Sequence, residues 1–157
     1  MLLPWFEWCE ATFIGQAVRD SLWLFPVIQS VHLLALALIG GSVLIVDLRL
    51  LGLGLTHHPV ADLSSAIRPW FRGSFATMLV SGMMLFSSEA LRCYYSPPFW
   101  WKMYFLLAAS LFAATVHRYA TSPSPSGIPP IAARATGIVS LALWTGVGIS
   151  GRWIAFY

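Results

Sequence analysis

Four stretches of the chain are apolar over about twenty residues, and polar segments separate them. The first runs from Leu22 to Val46 and is interrupted only by Gln29, Ser30, His32 and Ser42. At a rise of about 1.5 Å per residue, such a stretch crosses a hydrocarbon layer roughly 30 Å thick. Pro26 falls in its opening turns, where proline costs least, and Asp47 and Arg49 close it. A polar loop follows, with His57, His58, Pro59, Asp62, Arg68 and Arg72. The second stretch is Trp70–Glu89. A connection over Ala90–Pro98 leads to the third, Phe99–Val116, which ends at His117 and Arg118. Thr121–Pro130 reads TSPSPSGIPP, which cannot be helical and is expected to be a loop. The fourth stretch is Ile131–Ala155, with Trp153 and Tyr157 as an interfacial belt at its end.

The start of the chain has a different period. Leu3, Phe6, Cys9, Phe13 and Ala17 recur at helical spacing, with Glu7, Glu10 and Gln16 off that stripe. The segment lacks the basic start of a secretory signal. The expected fold is an all-α membrane protein: a short interfacial amphipathic helix over residues 1–20, then a four-transmembrane-helix bundle over 21–157.

Composition supports this pattern and removes alternatives. The chain is 58% hydrophobic and 10% charged, against about 25% charged in a soluble domain, so it has too little charge to coat a soluble globule. A net charge of +3 with no basic run gives no footing for nucleic acid. No zinc motif, Walker loop, GxSxG or dinucleotide fingerprint occurs. Cys9 and Cys93 have no metal or redox spacing, and both a disulfide and two free thiols remain open. Arg49, Arg68, Arg72, Arg118 and Arg134 flank one side of the spans. Arg19, Arg92, Lys102 and Arg152 flank the other. The larger group is expected in the cytoplasm, which places both termini outside.

Polar residues within apolar spans are expensive and carry the chemical information. His32 lies roughly 12 Å below the outer boundary and His117 about 25 Å below it, taking Leu24 and Trp100 as helix starts. Neutral imidazole in a helical bundle is a good ligand for haem iron. Each is equally readable as a histidine hydrogen-bonded to a neighbouring helix. An offset of roughly 13 Å on parallel helices disfavours one haem shared between them. Two arrangements respect depth: an inner site joining His117 to His57 or His58, and an outer site joining His32 to a methionine such as Met83 or Met84. At the outer end, Arg92 and Lys102, with Tyr94, Tyr95, Trp100 and Trp101, are candidates to hold haem propionates or a quinone headgroup. Glu89 and Arg92, three apart, are expected to pair. Asp47 is expected to find Arg68 or Arg72. Gly40 and Gly41, and Gly146 with Ser150, are expected at close helix contacts.

The run from His32 through HLLALALIGGSVLIV to Asp47-Leu48-Arg49-Leu50-Leu51-Gly52 resembles the first helix of an uncharacterised bacterial four-helix membrane family. Phe99-Trp100-Trp101-Lys102, continuing to Val116-His117, resembles that family's third helix, and the resemblance spans about residues 20–155. It is distantly similar to membrane b-type cytochromes and copper-resistance-type membrane proteins. That similarity implies haem b on His32, His117 or both, while His58 enters only by its depth and Lys102 and Arg92 only as the outer-end cations. The leading expectation is therefore an electron-transfer protein of a bacterial inner membrane, with quinol or a larger complex as redox partner. The competing expectation is a non-catalytic accessory subunit of a respiratory or photosynthetic complex, or a homo-oligomer. A transporter would need more polar residues at mid-membrane.

Overall fold

The computed structural model describes residues 2–122 and 129–156, which form helices and connecting turns with no strand among them. Two short helices, α1 (Leu3–Glu10) and α2 (Phe13–Asp20), precede the long ones. One helix was expected over residues 1–20. Thr12 divides it, because its hydroxyl accepts from the Gly15 N–H and starts a second helix there. Helix α3 is Leu24–Leu51. Gly52 ends it at φ 76°, with Leu53 N–H donating back to the Leu48 carbonyl, a closure that only a left-handed residue allows. Helix α4 is Val60–Ser88, so it takes in much of the expected polar loop. A short α5 (Ala90–Tyr95) fills the next connection. Helix α6 (Pro97–Phe112) starts on a proline pair and passes into a π-helical turn, Ala113–His117, and then α7 (Arg118–Ala120). Helix α8 (Pro130–Trp153) ends in a 3₁₀ turn. Most of the expected TSPSPSGIPP loop, and Tyr157, lie outside the described residues.

Among the described residues, three helices are long and apolar enough to cross a membrane: Leu24–Leu51, Pro97–Ala120 and Pro130–Phe156. Helix α4 is as long, but its first half carries Asp62, Arg68 and Arg72.

The long helices do not form a closed square. Helix α3 packs against α4 and α8, and α6 packs against α8, whereas α4 and α6 scarcely touch. The core sits on α3, where Ala35, Ile39 and Val43 meet Met78, Ala109, Trp144 and Val147. Gly146 lets α6 approach α8, since a Cβ there would stand 2.7 Å from the Phe105 ring. Gly40 and Gly41 face open space and make no such contact. A second cluster closes the end of the bundle that holds the α3 N-terminus. Phe6 and Cys9 of α1 pack there on Ala90 and Phe99. Glu10 accepts from the Leu91 N–H at 2.8 Å and pairs with Arg19 at 3.0 Å, while Arg19 donates to the Ser88 carbonyl. These bonds fasten the two amino-terminal helices to the α4–α5 corner.

Candidate functional site: two cavities in the α4–α6 cleft

The cleft between α4 and α6 holds two cavities, one towards each end of the bundle. The first encloses about 480 Å³ and is lined by His32, Lys102, Met78, Met83 and Met103, with Trp5, Phe6, Phe86, Phe99 and Trp100 among its aromatic walls. Its size lies within the roughly 300–1,000 Å³ usual for ligand sites. The α1 helix helps to wall it, so the docked amino-terminal segment completes the site.

Helix packing fixes the state of His32. Its Nδ1 lies 2.9 Å from Ser81 Oγ on α4. Ser81 donates its own hydroxyl proton to the Thr77 carbonyl at 2.6 Å, the back-bond common for serine within a helix. A hydroxyl has one proton to give. With its proton on that carbonyl, Ser81 can only accept from His32, an arrangement that places the proton of a neutral imidazole on Nδ1 and leaves Nε2 its lone pair. Gly82 makes the approach possible, because a Cβ there would stand 3.2 Å from His32 Cε1. Lys102 runs alongside Gly151 and has no acidic partner among the described residues.

The second cavity, about 250 Å³, lies between α3, α4, the π-helical turn and α8. His117 stands on its wall, but its Nε2 is 2.8 Å from Asp47 Oδ1. Asp47 is fully buried, and its Oδ2 has no hydrogen-bond partner among the described residues. The expected pairing of Asp47 with Arg68 or Arg72 is not formed. The Asp47 carboxylate is buried against His117, while the two arginines lie exposed on α4. The π-helical register begins in the turn that carries His117 to this contact.

The expected site residues thus divide. His32 and Lys102 line one cavity, with Met83 but not Met84 on its wall. His117 belongs to the other. His117 is level with Asp47, fifteen residues beyond His32 on α3, so the two histidines are about 22 Å apart along the bundle. No single macrocycle joins them. His58 is exposed in the loop after α3, its carbonyl accepting from Arg49 Nε at 2.7 Å, and it lines neither cavity. Arg92 pairs with Glu89 at 3.1 Å as expected and also lines neither. Cys9 and Cys93 are free thiols in the cluster beside the first cavity. Burial, aided by the negative charge of Glu89, pushes the Cys93 thiol up to about 11.

Sequence reasoning missed Ser81, two residues from the methionine chosen for its depth. It also missed the Asp47–His117 bond, although both residues close parallel helices. Among the described residues, no group of three His, Cys, Asp or Glu side chains is placed to hold a bare metal ion. Residues 5–157 match a family of unknown function, DUF6644. No curated protein and no solved structure matches the chain. The family description carries no link to cytochromes, and the match covers nearly the whole chain, so the protein belongs to DUF6644.

Proposed function

We propose that this protein is a four-span membrane electron-transfer protein whose larger cavity would hold one b-type haem through His32. The observation that carries this reading is the relay from the Thr77 carbonyl through Ser81 to His32. It leaves a neutral imidazole with its Nε2 lone pair beside a cavity walled by apolar groups. A lone histidine without neighbouring ligands suits a metal that a macrocycle already holds. The surroundings fit such a group. Lys102, without an acidic partner, is placed to meet a propionate. Met78, Met83 and Met103 offer thioether sulfur, and Gly82 leaves the imidazole room against α4. Haem supplies a one-electron couple when bound. The chain's part is to fix the imidazole tautomer, exclude water with the Phe6, Phe86 and Phe99 cluster, and neutralise a carboxylate.

In this proposal α4 is the fourth span, with Arg68 and Arg72 at its cytoplasmic end. The Asp47 end of the bundle faces the cytoplasm of a bacterial inner membrane, and both termini lie outside. The docked α1 and α2 lie at the outer interface, where Trp5, Trp8 and Phe13 are exposed. Quinol or a membrane complex is the redox partner. The open side of the cleft between α4 and α6 favours a second reading, an accessory subunit whose partner helix closes that side.

The test is a reduced-minus-oxidised spectrum of protein purified from haem-replete cells. Wild type is expected to show a Soret band that His32→Ala abolishes and His117→Ala keeps. A haem-free wild type sinks the proposal, and a band lost only in His117→Ala moves the ligand to the other cavity.

A further inference from the structure

The smaller cavity carries a feature that the haem reading does not use. Its walls are largely apolar, with Phe71, Phe75 and Trp144 meeting at 5.6 to 6.4 Å between ring centres. Beside several serine and threonine hydroxyls, the charged groups of its lining are all cationic: Arg68 and Arg72, one turn apart on α4, and Arg118 on α7. The described ion pairs are Arg19–Glu10, Arg92–Glu89 and His117–Asp47, so none of these three arginines meets a carboxylate among the described residues. Asp47, the nearest buried acid, stands behind His117, does not line the cavity and holds that imidazole. A patch that merely marked one side of a membrane would scatter its charge around the bundle. Here three guanidinium groups from two separate helices border one apolar hollow.

We propose that this cavity binds the phosphate headgroup of an acidic lipid, with part of its acyl chain against Phe71, Phe75 and Trp144. Three planar forks exceed what one carboxylate with two oxygens can satisfy, whereas a phosphate monoester offers three acceptor oxygens. The apolar walls select a phosphate that carries a hydrocarbon tail over free phosphate. The proposal is independent of the haem in the other cavity.

The test is native mass spectrometry of the full chain in neutral detergent, titrated with dioleoyl phosphatidic acid, dioleoyl phosphatidylglycerol or inorganic phosphate. Wild type is expected to take one phosphatidic acid about tenfold more tightly than phosphatidylglycerol. The triple substitution Arg68→Gln, Arg72→Gln, Arg118→Gln is expected to lose that preference. Arg134→Gln removes a cation from the same end but not from the cavity, and is expected to keep it. The triple substitution to lysine holds the charge without the forks. It is expected to retain one lipid but lose most of the preference, and it stands in if the glutamine variant fails to fold. Equal losses in Arg134→Gln and the triple variant overturn the proposal in favour of general surface charge. Inorganic phosphate competing as well as the lipid overturns it in favour of a small anion.

Discussion

The two intramembrane histidines are the same residue in opposite circumstances. His32 meets a neutral hydroxyl through Nδ1, and His117 meets a buried carboxylate through Nε2. A serine whose proton is already placed on a backbone carbonyl orders the imidazole without charging it. A buried carboxylate with no other side-chain hydrogen-bond partner among the described residues draws the imidazole into a structural bond and occupies its Nε2. Histidine inside a membrane helix is therefore not itself a ligand signature. Under the proposed reading, the group that each imidazole meets separates a ligand from a clasp.

The largest effect that would break this comparison is at the clasp. Removing the acid by Asp47→Ala leaves His117 without its partner and opens a gap in the bundle. A loss of about 3 kcal/mol of stability is expected, in line with broken buried pairs. Unfolding in mixed detergent micelles measures it. Asp47→Asn keeps an acceptor for His117 and is expected to cost about 1 kcal/mol. If Asp47→Ala left stability unchanged but erased the Soret band, the roles assigned to the two ends would be reversed.

A smaller effect is expected from Ser81→Ala. It frees the His32 tautomer while leaving the imidazole and the cavity in place. Losing such an outer hydrogen bond typically weakens metal binding about 10- to 100-fold. Haem titration of the purified apoprotein is expected to show a weakening in that range, with stability nearly unchanged. Unaltered affinity would mean that the hydroxyl only packs.

Much of this contrast was legible before any coordinates. Period and length gave the long helices, because an apolar span declares itself by composition alone. His32 and His117 lie at different depths, as span length predicts, but about 22 Å apart rather than roughly 13 Å. The shorter figure takes the helices as starting level at Leu24 and Trp100, whereas α6 begins at Pro97 and the π-helical turn carries His117 as far as Asp47. Two things were not legible. Side-chain partners across helices depend on rotation about each axis, which one sequence fixes poorly, so Ser81 and Asp47 were passed over. The docking of α1 and α2 depends on Glu10 reaching the Leu91 N–H eighty-one residues away. No local pattern announces such a bond, and Glu10 looked like the polar face of an interfacial helix.

That docking also walls the His32 cavity, and Cys93 reports on it with the smallest perturbation of all. The thiol sits beside Phe6 and Cys9 in the cluster that α1 forms against α5 and α6. Burial pushes it up to about 11, with Glu89 adding to the shift, so at pH 8 only about 0.1% is thiolate, the form that reacts. With Cys9 changed to serine, alkylation by iodoacetamide at pH 8 is expected to be slow and to rise about tenfold per pH unit up to pH 10. An ordinary thiol would level off near pH 9. Such levelling with no substitution beyond Cys9→Ser would mean that α1 is not seated on the bundle, leaving the His32 cavity open to water. Adding Glu10→Gln weakens the Leu91 and Arg19 contacts, and is expected to bring the levelling down towards pH 9 while the His117–Asp47 end keeps its stability.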